Sequence, residues 1–294
     1  MNTVIYFCYG QESVFREARF SILSMLCFPI DHSFQTVVYT DRAECFADLG
    51  VTVRPVTKEE LDDWMGRSTY IHRRKTMMVI DALQRYGGSV AFIDCDTYFL
   101  KAPSALFDLI GPGKSCLHIA EGRLKETRTW KNERVSRLIE SNCFFDLSGN
   151  KLTISPDAMM WNSGVLGVHS SDLRLIREGL NLCDQLWERD QATEPADRRV
   201  HHLEQFAMGV FLARNKLREA SHIVFHYWEQ YFREPFAKEL EKIDSHMKSM
   251  KLPERAYYAY QFKPRGIFKR RVKMGIRTWL RRLGFRVSWL RSSM

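Results

Sequence analysis

The chain contains no apolar run approaching the ~18 residues of a membrane span, so no transmembrane helix is expected. Its first residues, MNTVIYFCYG, lack the basic start and long apolar core of a secretory signal, and the expectation is a cytoplasmic protein. The seven cysteines (Cys8, Cys27, Cys45, Cys95, Cys116, Cys143, Cys183) include no CxxC pair. Their odd number and scatter speak against a disulfide framework or a zinc site, and for free thiols. No internal repeat, low-complexity tract or flexible linker interrupts the sequence. Residues 263–294 contain no acid, against eleven Lys and Arg. Since the whole chain carries +9, residues 1–262 carry only −2. The basic character therefore belongs to the tail, and the body gives no reason to expect a nucleic-acid partner.

What is present is ample for a core: 294 residues, 45% hydrophobic and 13% aromatic, with 27% charged. TVIYFCY (3–9) reads as a buried strand ended by Gly10, and residues 12–27 follow with helical spacing. QTVVYT (35–40) and VTVRPV (51–56) read as strands, KEELDDWM as a short helix, 72–86 as a longer helix stopped by Gly87-Gly88, and SVAFI (89–93) as the next strand. That alternation predicts an α/β fold whose mainly parallel sheet is flanked by helices, with ligands beyond the carboxyl ends of the strands. Further on, CLHIAEG and CFFDL-SGN-KLTIS suggest strands with a hairpin turn at Ser148-Gly149-Asn150. MMWNSGVLGVHSSDL suggests a strand running into a helix over 171–187, residues 202–213 a helix, and HIVFHYW (222–228) a closing strand. The simplest organisation is one domain over 1–262 and a basic tail over 263–294.

The segment AFIDCDTYFLKAP (91–103) is the chemically loaded one. A buried strand that ends on Asp94 and Asp96 needs something positive beside it, because unpaired buried charge is costly. The partner is a Lys or Arg, a divalent metal, or water reached at a sharp turn. In extended backbone the two side chains share one side, where they repel unless a cation bridges them. Hard oxygen ligands of this kind suit Mg2+ or Mn2+. The plain alternative is a strand-end turn with two solvated acids.

Asp94-Cys95-Asp96 followed by Thr97, an apolar pair and Lys-Ala-Pro resembles the DxD segment of nucleotide-sugar glycosyltransferases with the GT-A fold. WNSGVLGVH (161–169) resembles the Asn-Ser-Gly strand of the glycogenin and bacterial lipopolysaccharide galactosyltransferase type, HLEQFAMGVFL (202–212) its acid-Gln helix start, and IVFHYW (223–228) its ligand-bearing strand. The resemblance covers roughly residues 3–230. It implies Mn2+ or Mg2+ held by Asp94, Asp96 and His226, a nucleotide-diphosphate sugar donor, and a saccharide or glycolipid acceptor. It also implies that Gln205 lies near the anomeric carbon and that Glu204 and Asn162 bind sugar hydroxyls, with Ser163 and Gly164 letting the backbone approach the donor. The sequence departs from the type in two places. Glu204 replaces the usual Asp, and after the last strand only His226-Tyr227-Trp228 remains of a longer motif whose Lys would meet the diphosphate. Arg233 is the available substitute.

Other assignments rest on position. Arg73, Arg74 and Lys75 open a helix where cations are mildly unfavourable, so one should have a partner, and Lys75 is the choice for the donor diphosphate. Asp41 is placed for the base or ribose and Tyr9 for stacking on the base. His201 and His202 read as surface or cap residues. The resemblance implies retention of configuration; inversion would need a carboxylate base, with Asp157 and Glu204 as candidates. A haloacid dehalogenase-type phosphatase wants Thr or Val four residues after its first Asp, where Tyr98 stands. A nucleotidylyltransferase wants a Gly-rich basic loop, which YGQESVFREAR is not. A non-catalytic nucleotide-sugar-binding or scaffold protein remains the competing class. In the tail, Phe268, Val272, Ile276, Trp279, Leu280, Leu283, Val287 and Leu290 recur at helical spacing, with Arg270, Lys273, Arg277, Arg281 and Arg282 on the rest of the wheel. Trp279 and Trp289 suit headgroup depth, and Gly284 is a break point. The pattern predicts an amphipathic helix on an anionic membrane surface, placing the protein peripherally on the inner face.

Overall fold

The computed structural model describes residues 1–29, 33–66, 69–126, 129–193, 199–228 and 230–262, with five further positions between 272 and 280. The first half alternates as the sequence predicts: β1 (Asn2–Cys8), α1 (Glu12–Leu26), β2 (Phe34–Thr40), β3 (Thr52–Pro55), α2 (Lys58–Met65), α3 (Arg73–Tyr86) and β4 (Ser89–Ile93). Then come β5 (Thr97–Phe99), α4 (Ser104–Phe107), β6 (Lys114–Arg123), α5 (Trp130–Ser141), β7 (Met159–His169), α6 (Leu173–Thr193), α7 (Leu203–Leu212), β8 (Lys216–Glu219), β9 (Val224–His226), α8 (Gln230–Met247) and α9 (Leu252–Gln261).

Seven strands form one sheet in the order β3-β2-β1-β4-β7-β6-β8. β3, β2, β1 and β4 run parallel, β7 runs antiparallel to both its neighbours, and β8 is parallel to β6. Alternation of side chains builds a core on each face. Val4, Tyr6 and Cys8 of β1 pack with α1 and with Phe236, Leu240 and Ala259 of α8 and α9. Ile5 turns the other way, with Tyr39, Met78, Leu83, Ile176 and Met208. Helix α2 starts at Thr57, whose hydroxyl accepts from Glu60 N at 3.2 Å. Helix α3 stops where Gly87 and Gly88 take φ of 62° and 58°. A side chain at Gly88 would also meet the Met1 carbonyl at 2.6 Å.

Three expectations change. Residues 143–155 do not form a hairpin of strands: Phe145 and Lys151 make only an isolated bridge. Asp146 closes the turn instead, its carboxylate accepting from Ser148 N, Asn150 N and Asn150 Nδ2 at 2.8–3.1 Å, so local bonds replace the ladder. The closing strand shrinks from 222–228 to Val224–His226, and it pairs antiparallel with β5 in a separate two-stranded sheet. The chain bends after β4, which carries β5 off the main sheet and takes its partner with it. Helices α4, α5, α8 and α9 and strands β5 and β8 come in addition to the elements expected. No described helix is long and apolar enough to cross a membrane. Of residues 263–294, only Val272, Gly275, Ile276, Trp279 and Leu280 are described; all are helical, and Val272, Ile276 and Trp279 are exposed. The remainder of the expected amphipathic helix, with its cations, Gly284 and Trp289, lies outside the described residues.

Candidate metal centre

The site begins where β4 ends. Asp94 N donates to Gly164 O at 2.8 Å, tying the exit of β4 to β7. Asp94, Cys95 and Asp96 then bend rather than continue the strand. The two acids therefore converge through the bend and not through the side-to-side alternation of extended backbone. A row of buried hydroxyls holds that bend. Thr97 Oγ1 donates to Asp94 O at 2.8 Å, so Ser21 Oγ must donate to Thr97 at 2.7 Å, and Tyr6 OH in turn to Ser21 at 3.0 Å. The pairing of Thr97 with His226 across β5 and β9, reinforced by Tyr227 N donating to Asp96 O at 3.0 Å, sets His226 beside the acids.

His226 Nε2 lies 3.0 Å from Asp96 Oδ1 and 3.7 Å from Asp94 Oδ2. One donor atom from each of the three residues fits within 4.8 Å. On the other side of the ring, Nδ1 is 2.9 Å from Asn162 Oδ1. The edge of the buried His118 ring also packs on His226, with centroids 5.3 Å apart. Burial, helped by the neighbouring His226, pushes the pKa of His118 down to about 3, so it adds no charge here.

Of the three basic residues at the start of α3, only Lys75 turns to the acids. Its Nζ stands 3.3 Å from both Asp94 oxygens, 2.7 Å from Ser163 O and 3.0 Å from Ser163 Oγ. Arg73 is committed to Asp184 and Trp64 O, and Arg74 to Leu61 O and Asp62. From α8, Arg233 grips the buried Glu17 with a two-pronged contact at 3.0 and 2.8 Å and reaches Asp96 Oδ2 at 3.5 Å. Burial would raise the pKa of Asp96, but His226 and Arg233 overcome it and hold the carboxyl at about 2. For Glu17 burial wins, and its pKa is raised despite Arg233.

Glu204 is buried at the first turn of α7. Tyr70 OH donates to its Oε2 at 2.5 Å and accepts from its backbone N at 3.2 Å. Burial works to raise its pKa, yet His72, Lys75 and Tyr70 together keep it below the usual value. A cavity of ≈ 10 Å³, room for about one water, lies between Glu204, Lys75 and Ser163 and the apolar Val79, Leu166, Ile176 and Met208. Gln205 is buried with its amide 3.9 Å from Met160 Sδ. Tyr9 packs on Phe7 under the Arg74 guanidinium, and the exposed Asp41 accepts from Gly10 N at 3.4 Å; both stand at strand ends, as their positions require. Asp157 is exposed, and His201 and His202 precede α7 without capping it through a side chain.

The structure thus gathers Lys75, Asp94, Asp96, Asn162, Ser163, Gly164 and His226. It adds Glu17, Tyr70, Ser21 and His118, which sequence reasoning did not single out. Arg233 is shared between Glu17 and Asp96, and Lys75 pairs with Asp94. Two carboxylates brought this close repel each other, and a divalent cation between them would relieve that repulsion. Two carboxylates and an imidazole also make a donor set that suits Mn2+ or Mg2+. Neither a protein-family model nor a curated protein matches the chain.

Proposed function

We propose that the protein is a metal-dependent glycosyltransferase that moves a hexose from a nucleotide-diphosphate sugar, UDP-sugar in the first place, to a saccharide or lipid-linked saccharide of the cell surface, lipopolysaccharide included. The observation that carries this reading is the convergence of Asp94, Asp96 and His226 at the carboxyl end of β4, one ligand atom from each within 4.8 Å of the others. The mixed sheet, in which β7 runs antiparallel beside β4, is compatible with a GT-A-like arrangement. A divalent cation bound there would neutralise the diphosphate as it leaves. The side chain of Arg233 is 45% exposed at the rim, so it can turn from Asp96 to a phosphate oxygen and supply the contact that the family's Lys makes. Lys75 has its donors spent on Asp94 and Ser163, and serves the diphosphate by holding Asp94 in place. Glu204, kept ionised, accepts from sugar hydroxyls, and Gln205 lies one residue further along α7. Transfer with retention, by attack on the same face, is the course that the resemblance implies. The tail would hold the enzyme on the inner membrane face, the exposed Val272, Ile276 and Trp279 entering lipid and the charge of its eleven Lys and Arg drawing it to anionic headgroups.

The test is a hydrolysis and transfer screen across UDP-, GDP-, CMP- and dTDP-sugars with Mn2+, Mg2+ or EDTA. Turnover of one donor that disappears in EDTA and in Asp94→Asn is expected. Full turnover in EDTA would sink the proposal. Binding of a nucleotide sugar, seen as a thermal shift of roughly 2.7 kcal/mol at ~100 times Kd, without any turnover would instead favour the binding-protein reading.

A further inference from the structure

We infer that Asn162 is a positioning residue of the metal centre: its amide oxygen, pinned by Gly164 N–H, keeps a proton on His226 Nδ1 and so leaves Nε2 as the ligand atom. The inference rests on the metal centre proposed above, not on sugar transfer. Its logic runs from a group that can only donate. The backbone N–H of Gly164 points at the Asn162 side chain from 2.9 Å, so the atom it meets is the amide oxygen and not the nitrogen. The same oxygen lies 2.9 Å from His226 Nδ1. An amide oxygen only accepts, so Nδ1 must carry hydrogen. That leaves Nε2, which faces Asp96 Oδ1 at 3.0 Å and Asp94 Oδ2 at 3.7 Å, as the nitrogen open to a cation; in the cation's absence a hydrogen on Nε2 meets the carboxylate. If the ring takes a second proton, that proton sits on Nε2, where a cation would displace it. In both states Nδ1 is settled by Asn162.

The neighbouring residues serve the same end. A Cβ at Gly164 would lie 2.0 Å from His226 Nδ1, so the strand is cut away to admit the ring. Ser163 holds Lys75, and Lys75 holds Asp94. Asn162 and His226 are 4% and 3% exposed, so solvent does not compete for their bond. With two donors already on it, the Asn162 oxygen has no lone pair left for a sugar hydroxyl, and only its NH2 group is free to meet one.

The experiment measures Mn2+ affinity of the full chain by calorimetry for wild type, Asn162→Ala and Asn162→Asp. Asn162→Ala should weaken Mn2+ by about 10- to 100-fold, as removal of a hydrogen-bond partner behind a ligating His does. Asn162→Asp, which keeps an acceptor at the same place, should stay within a few-fold of wild type. Wild-type affinity in Asn162→Ala would overturn the inference. Should Asn162→Ala fail to fold, long-range 1H–15N NMR of the metal-free wild-type chain decides: a proton on Nδ1 is expected, and a neutral His226 protonated on Nε2 would overturn it. Mn2+ binding that follows this pattern in a chain that transfers no sugar would uphold the inference and remove the transferase reading. A wild-type chain that binds neither Mn2+ nor Mg2+ would overturn it.

Discussion

Gly164 shows how a single residue without a side chain can decide a site. Its replacement by Ala must push the His226 ring aside, because the new methyl would start 2.0 Å from Nδ1. Gly164→Ala should therefore lose Mn2+ affinity by at least about 10-fold while retaining a cooperative unfolding transition; unaltered affinity by calorimetry would show that the ring has room to spare. A second residue predicts pH behaviour. Burial lowers the pKa of His202 from 6.5 to about 4. Below 6.5 the unfolded chain takes up a proton that the native chain refuses until about 4, so this residue subtracts stability as pH falls through that window. His202→Gln should flatten the acid-side loss between neutral pH and about pH 5 in urea unfolding, and an unchanged slope would refute the assignment. Asp94, Asp96 and His226 were legible because their spacing and neighbours form short recognisable segments. Glu17 was not, because it reads as an ordinary helix residue and its partner Arg233 is 216 positions away. Asn162 was legible as a polar site residue, but its partner was not: only the fold turns it toward His226.

Among the elements, α8 and α9 matter most to what the sequence hid. Phe236, Leu240, Ile243 and Met247 form a buried stripe at helical spacing, broken up in the sequence by Pro235 and many charges. These helices dock on α1 through ion pairs as well: Arg16 with Glu241 at 2.6 Å, Arg233 with Glu17, and Arg255 with Asp48, which Arg19 also holds. The two guanidinium groups drive the pKa of Asp48 well below its usual value, chiefly through the Arg19 hydrogen bond. Asp48 is half exposed, so its contribution is screened, and Arg255→Ala should cost about 1 kcal/mol in urea unfolding while leaving Mn2+ affinity unchanged. A loss of Mn2+ affinity in that variant would mean that α9 supports the centre directly. Strand β5 escaped the sequence reading for a simpler reason: three residues are too few to show a period.

For the whole molecule, the strict alternation of strand and helix up to Ile93 made the parallel half of the sheet readable, while the antiparallel β7 and the short β8 and β9 depend on contacts far along the chain. The tail can be separated from the body in a test. Removal of residues 263–294 should leave Mn2+ binding intact and abolish sedimentation with vesicles rich in anionic lipid at low salt, since each Lys or Arg near such a surface contributes ~1 kcal/mol. Continued sedimentation of the shortened chain, or indifference of the full chain to anionic lipid, would rule out the membrane role. The pairing of β5 with β9 also sets an order of events. Asp96 and His226 stand 130 positions apart, so on the ribosome the acids emerge long before their imidazole. A nascent chain halted short of residue 226 carries the acid pair and Lys75 but not the imidazole. A cation bound as proposed would therefore reward only a nearly finished fold, and it would not template the early strands.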